Sequence, residues 1–308
     1  MSVAAVPAAE TALPRGPFRL ALAIVVVTIA LILMGAMVTS TGSGLAYLDY
    51  PLADGKVLSG RALREAPAFF EYFHRVLGAL DGLLVVALVV RVYRARTGSP
   101  ALRTATVGGL VLIVVQGLVG GLGVLENLPV ANSATHGTLA QLTIATFAVI
   151  AYALSPRWRA TAPRAHASAG TGRKLTAAGL ALLIVQTMLG AIARHGGPEY
   201  ETFLWTHVGN AFVVFLLLLV VGSFAVGRFA DVPGVRRLSS TLLLLLILQI
   251  ALGFVALLVR TGKHPENIEH LWRASLISAH VLTGALLTVT ASLLAAHVRR
   301  GTLRPGAP

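Results

Sequence analysis

The sequence predicts an all-α polytopic membrane protein, with eight transmembrane helices arranged as two tandem, pseudo-symmetric four-helix bundles. Three observations carry the prediction. Of the 308 residues, 56% are hydrophobic and only 12% charged, and the mean hydropathy is +0.80, which is more apolar surface than a water-soluble domain of this length buries. The apolar residues fall into eight runs, each long enough to cross a bilayer core of roughly 30 Å, a distance that takes about 20 residues of helix. The runs lack the period-two alternation of a transmembrane barrel, so helices rather than strands make the crossings.

Taken in order, residues 1–17 hold one basic residue, Arg15, and no cleavage signal ahead of a soluble domain, and they read as a mobile N-terminal tail. Spans follow near 18–40, 71–93, 104–125, 132–154, 174–194, 202–226, 238–260 and 273–297. The second is the least uniform, because Glu71, Arg75 and Asp81 fall inside it. Residues 41–70 form the longest outer loop, rich in Gly and Pro, and are expected to cover a site. Residues 155–173, with Ala, Gly, Ser and Pro among scattered arginines, read as a flexible cytoplasmic linker. They separate an N-terminal half (18–154) from a C-terminal half (174–297), after which 298–308 form a C-terminal tail.

Orientation comes from Lys and Arg. With the amino terminus inside, only Lys56, Arg61, Arg64, Arg75, Arg194, Arg260, Lys263 and Arg273 fall outside, so both termini are expected in the cytoplasm. The net charge of +13 sits in short loops between apolar runs, which makes the lipid bilayer the partner and leaves no nucleic-acid surface. The absence of cysteine excludes disulfides, thiolate metal sites and cysteine nucleophiles.

The residues that point to chemistry are His74, His136, His207 and His280. Each lies near the start of every second span, so all four fall at a similar depth on the outer side. A polar ring is costly in hydrocarbon unless something engages it. The histidines open the second and fourth helices of each half, 62 residues apart in the first and 73 in the second. Gln116-x-x-x-Gly120, Gln186-x-x-x-Gly190 and Gln249-x-x-x-Gly253 recur in spans three, five and seven, where small residues are expected to let helix backbones approach. The functional reading is two sites, one per half, each with two imidazoles on facing helices that coordinate one iron axially from both sides. The bland alternative is four unrelated rings bonded locally. Zinc fits less well, since no short H-x-x-x-H pair occurs and no carboxylate completes either couple.

Glu71 lies three residues before His74, so the two share a helix face. One carboxylate beside a metal ligand suits acid–base work or a charge partner. A di-iron centre would need a second Glu-x-x-His and two further carboxylates, and a structural role at the positive end of the helix dipole is the alternative. Asp81 lies two turns deeper on the same face, where a buried acid–base pair is the plain expectation. His166, His195, His264, His270 and His297 are expected to be solvated. Arg75, Arg194 and Arg273, at outer ends of spans, suit haem propionates or snorkel to headgroups. Gly120-Gly121-x-Gly123 follows no strand, which rules out a nucleotide loop.

With these residues in place, the chain resembles the haem A synthase family across all eight spans. The resemblance rests on Thr41-Gly-Ser-Gly-Leu45 with Asp49 and Pro51, on Glu71-x-x-His74-Arg75, on the openings at His136, His207 and His280, and on Arg194-His195. It implies a membrane oxidoreductase of the bacterial cell (inner) membrane that oxidises the C8 methyl of haem O to a formyl group through hydroxylation and a gem-diol, giving haem A for terminal oxidases. It implies a haem b with axial iron ligands His207 and His280 in the C-terminal half, and haem O near His74 and His136 in the N-terminal half. Glu71 matches the catalytic carboxylate, and haem O synthase and an electron donor are the implied partners. Many bacterial members carry a cysteine pair in the first outer loop, where this chain has Tyr47 and Ala53, so it belongs with the cysteine-less type and has no thiol relay or disulfide lid. A non-catalytic bis-histidine cytochrome b-type electron carrier fits the histidines equally but leaves Glu71 and the covering loop without a use. A transporter predicts interrupted helices and midplane ion sites, which the continuous spans do not offer.

Overall fold

A computed structural model of the chain describes residues 15–261 and 270–303. The first 14 residues of the expected N-terminal tail, Lys263 and His264 of the last outer loop, and residues 304–308 lie outside the described residues, as do the side chains of Arg260 and His270.

Eight helices are long and apolar enough to cross a membrane. They are α1 (Arg15–Ser40), α2 (Ala66–Arg94), α3 (Pro100–Leu125), α4 (Val130–Leu154), α6 (Ala169–His195), α7 (Glu201–Arg228), α8 (Val235–Thr261) and α9 (His270–Gly301), with a short α5 (Pro156–Ala160) between the halves. The chain is therefore an all-α, multi-pass membrane protein. Each helix outruns its apolar run by a few residues, because polar end turns extend past the hydrocarbon. At α3, Ser99 Oγ accepts the Leu102 N–H at 3.2 Å and Pro100 fills the first turn, where no amide donor is needed.

Residues 155–173 depart from the expected linker, for they carry regular structure. Ser155 Oγ accepts the Trp158 N–H at 3.3 Å to start α5. Strand β1 (Arg164–Ala165) pairs in parallel with β2 (Thr302–Leu303). The cause lies beyond residue 297, in what was expected to be a tail. Arg300 Nε donates to the Trp158 carbonyl at 3.2 Å, and its guanidinium stands 5.2 Å from the indole centroid. His297, expected to be solvated, is buried. Its ring stacks on Tyr152 at 3.7 Å between centroids and 10° between planes, tying α9 to α4.

Helices α1 to α4 pack in a ring, each on the next, with α4 closing on α1, and α6 to α9 pack in the same order. The two rings meet along α1, α4, α6 and α9. Ile24, Val85, Leu88, Phe147 and Ile150 fill one ring, and Leu183, Leu218, Val221, Leu242 and Leu294 fill the other. Ile32, Ile144 and Ala285 close the seam. Large apolar side chains such as Leu83, Leu118, Phe212 and Leu244 face outward, as lipid-facing positions do. Short connections make consecutive helices antiparallel, so both cores occupy the end of the bundle away from the loop between α1 and α2. The loop end of each ring is left to the histidines.

Candidate functional site

His74 on α2 and His136 on α4 turn toward each other, with ring centroids 6.2 Å apart and planes at 78°. His207 on α7 and His280 on α9 do the same in the second ring, at 6.4 Å and 88°. The four rings therefore form two couples, one per helix ring and both at the loop end, as the sequence pattern requires. None of the four is fully covered by protein.

Each imidazole rests on a glycine of the preceding helix. A Cβ at Gly35 would stand 2.7 Å from His74 Cε1, at Gly120 2.8 Å from His136 Cε1, at Gly190 2.7 Å from His207 Cε1, and at Gly253 3.0 Å from His280 Cε1. The Gln-x-x-x-Gly echo is thus explained differently from the expectation. These glycines make room for a ring rather than for a helix backbone, because an imidazole directed at its mate must pass over the neighbouring helix. Gly35, in α1, is the fourth member, hidden from the sequence echo because Leu31 stands where the other three have glutamine. In three of the four, the ring Nδ1 bonds to the carbonyl four residues before the glycine, whereas the His280 Nδ1 is buried without a hydrogen-bond partner. The acceptors are Leu31 for His74 (3.3 Å), Gln116 for His136 (3.1 Å) and Gln186 for His207 (3.0 Å). A carbonyl only accepts, so Nδ1 carries the proton and Nε2 keeps its lone pair. Gly190→Ala is expected to destabilise the detergent-solubilised protein by about 1–3 kcal/mol, the usual cost of overpacking. Thermal unfolding of the variant checks this, and an unchanged midpoint would show that the His207 ring yields freely.

The outer loop sits over the first couple. The Glu71 carboxylate is buried, accepts the Tyr47 N–H at 2.9 Å and pairs with Arg75 one turn on. The Arg75 guanidinium also donates to the carbonyls of Tyr47 (3.0 Å), Asp49 (2.6 Å) and Leu52. Arg75 thus clasps the loop, and neither snorkels nor stands free for a propionate. Tyr47 is wholly buried, its hydroxyl donating to Ser59 Oγ at 3.0 Å, and packs with Ala53 and Ala68. The positions matched to the absent cysteines thus lie in one small apolar cluster. The Tyr50 hydroxyl reaches the Gly117 carbonyl on α3 at 3.2 Å, which spans the loop across the ring of helices. Asp49 shapes the loop's turn by accepting the Gly55 and Asp54 N–H groups at 2.8 and 3.0 Å. The Gly55 amide is the first reason that its carboxyl is held below the ordinary value of 3.8.

Other candidates separate from this site. Asp81 is buried against the Thr28 hydroxyl at 2.9 Å rather than against a base, and ties α2 to α1. Arg194 crosses the seam and donates to the Ala36 carbonyl (2.8 Å) and Ser40 Oγ (2.7 Å) of α1. Arg273 donates to the Val259 carbonyl at 2.7 Å. His195 is half-buried at the end of α6, and His166 packs edge-on against Phe229. Among the described residues no group of three or more His, Asp or Glu converges on one point, so protein side chains alone do not complete a zinc-type site.

This fold and site define a class: a multi-pass helical membrane protein that carries paired, facing histidines inside helix rings. The chain belongs to the cytochrome oxidase assembly protein family, whose profile matches residues 18–203. It is similar to a heme A synthase of Symbiobacterium thermophilum, 29% identical over 260 residues, which are 83% of this chain and 80% of that protein. A heme A synthase of Mesorhizobium japonicum is 34% identical over 149 residues, covering 45% of this chain and 40% of that protein. One of Exiguobacterium sp. is 25% identical over 176 residues, 56% of each. The profile ends ahead of His207 and His280.

Proposed function

We propose that this protein is a haem A synthase of the bacterial cell membrane, with both termini cytoplasmic, which oxidises the C8 methyl of haem O to a formyl group and so provides haem A for terminal oxidases. The observation that carries the reading is the pair of facing imidazole couples, one of them beneath a loop that holds a buried carboxylate. A metal–imidazole bond is about 2 Å long, so two rings on opposite sides of one ion have centroids about 6 Å apart. The separations of 6.2 and 6.4 Å fit that requirement. The four glycine cradles fit it as well, and the Nδ1 bonds of His74, His136 and His207 leave their Nε2 as the donor atom.

In this reading His207 and His280 hold a resident haem b, and His74 and His136 receive haem O as substrate. The haem b, when bound, supplies one-electron transfer. The remaining contributions are the chain's own. Couples at the same end of adjacent helix rings put the electron-carrying site beside the substrate. Glu71, kept in place by the Tyr47 N–H and Arg75, accepts a proton at the edge of the substrate as its methyl carbon is oxidised. The loop clasped by Arg75 limits water at that edge. Converting methyl to formyl is a four-electron oxidation that adds one oxygen atom; with molecular oxygen as oxidant, each of two successive hydroxylations takes two electrons from the electron donor and releases one water, the gem-diol then loses a further water, and a haem O synthase supplies the substrate.

The test is production. A host that makes haem O but no haem A, given this chain, is expected to accumulate haem A, identified by the mass of its extracted pigments. Haem O alone, alongside a protein that binds haem, would overturn the assignment in favour of a non-catalytic cytochrome b-type carrier.

A further inference from the structure

Among the described residues, three sides of the first couple are closed by packed helices and the fourth by a side chain of the outer loop. Between α1 and α2 the His74 ring lies on Gly35, Leu31 meets Gly78, and the Thr28 hydroxyl bonds Asp81 at 2.9 Å. Between α3 and α4 the His136 ring lies on Gly120, and Asn132 fills the space beside Gly123. The flank of α1 and α4 is covered by α6 and α9 of the second ring. Helices α2 and α3 are joined at their inner ends, where Leu84, Val85, Leu110 and Ile113 share one core. Toward the loop end the flank of α3 that carries Leu110 continues as Gly117 and Gly121, two and three turns further on. The Tyr50 ring takes up the space they leave. A Cβ at Gly121 would stand 2.5 Å from Tyr50 Cε1, and the Tyr50 hydroxyl donates to the Gly117 carbonyl at 3.2 Å.

The depth of this contact decides what lies outside it. Gly117 is eight residues short of the end of α3, which is roughly 12 Å of helix rise. The loop therefore dips to membrane depth at Tyr50. Tyr50 is 40% exposed, on the same stretch of α3 as the exposed Leu118 and Leu122, and exposed Leu48 and Leu52 flank it in the loop. Apolar side chains exposed together at this level face lipid. On the inner side, Gly120 lies between the two glycines that seat Tyr50 and itself seats His136, so Tyr50 stands between that ring and the bilayer.

We infer that the first couple opens sideways to the outer leaflet, between α2 and α3, and that Tyr50 is the positioning residue that closes this opening behind a porphyrin with an isoprenoid tail. The inference rests on the reading that the first couple receives haem O. That substrate carries a long isoprenoid chain and dissolves in the bilayer rather than in water. Access from above is closed, because Arg75 clasps the carbonyls of Tyr47, Asp49 and Leu52 on both sides of Tyr50. A swing of the Tyr50 side chain breaks one hydrogen bond and leaves that clasp in place, so the side opens while the cover stays. The Arg75 guanidinium, 5.7 Å from the Tyr50 ring centroid, favours the closed position.

Two measurements test this. The chain has no cysteine, so Tyr50→Cys carries a single spin label in proteoliposomes, and Leu118→Cys gives the lipid-facing reference. The label at position 50 is expected to relax with dissolved oxygen, which concentrates in hydrocarbon, more than with a water-soluble nickel chelate, as at position 118. Stronger relaxation by the nickel chelate would overturn the inference, since the side at Tyr50 would then open to water, and this result does not depend on haem. The second measurement uses protein with haem b in place and haem O dissolved in the same bilayer, without reductant. Uptake is followed by the growth of six-coordinate absorption, and release by displacement with isotope-labelled haem O. Tyr50→Phe is expected to raise both rates about fivefold, the worth of one net hydrogen bond, and Tyr50→Ala to raise them further, with the amount bound at equilibrium unchanged. Unchanged rates in both variants, or less haem O bound at unchanged rates, would reduce Tyr50 to a loop fastening and overturn its role, with the haem b absorption as the folding control. Uptake by His74→Ala equal to that of the wild type would instead overturn the reading of the first couple as the haem O site.

Discussion

His207→Ala and His280→Ala are each expected to abolish the low-spin haem b spectrum of the purified protein. The two rings face each other across 6.4 Å from different helices, α7 and α9, so no neighbouring side chain replaces either one. Removal of residues that merely orient a ligand already costs about 10–100-fold in metal affinity, and loss of the ligand itself costs more. Substitution should leave the helices in place, because the apolar core of this ring, around Leu218, Leu242 and Leu294, lies at the opposite end. The check is reduced-minus-oxidised absorbance on protein of unchanged helical content. Full retention of the spectrum in both variants would remove this couple from the cofactor site.

The second large effect is expected at Glu71. Glu71→Ala should retain haem b and lower haem A production by about 10²–10⁴-fold, the range of a lost general acid–base group. Alanine also strips the half-buried Arg75 of its carboxylate partner, and an uncompensated charge loosens its surroundings. Glu71→Gln separates the two causes. It keeps an acceptor for the Tyr47 N–H, and so keeps the loop, but removes the proton acceptor. Loss of production in both variants, measured against unchanged haem b absorbance, assigns the chemistry to the carboxylate. Unchanged production in the glutamine variant would reduce Glu71 to a fastening for the loop.

Much of this was legible in the chain. The eight spans follow from apolar runs that nothing but a bilayer accommodates, and their ends moved by only a few residues. The pairing of His74 with His136 and of His207 with His280 follows from their place at the start of alternate helices. What could not be read depends on contacts made across the fold. Residues 155–173 looked flexible because their composition is that of a linker. Their structure comes from β2 and from Arg300, the latter 142 residues beyond its partner Trp158. His297 looked solvated at the end of its span until Tyr152 supplied a stacking surface. Arg75 gave no sequence sign that it would spend its donors on three loop carbonyls and Glu71. The Gln-x-x-x-Gly repeat was visible, but its meaning was not, because a glycine that seats a ring and a glycine that seats a helix look the same in one dimension. The signal that would have found Gly35 is its position, four residues after Leu31, in the helix preceding His74.

The central claim is that the facing imidazoles are axial ligands of haem iron, and electron paramagnetic resonance of the oxidised, haem-loaded protein tests it most directly. Ring planes at 78° and 88° predict the strongly anisotropic low-spin signal of two nearly perpendicular axial imidazoles. A high-spin signal, or one unaltered when His136 and His207 are both replaced, would contradict it.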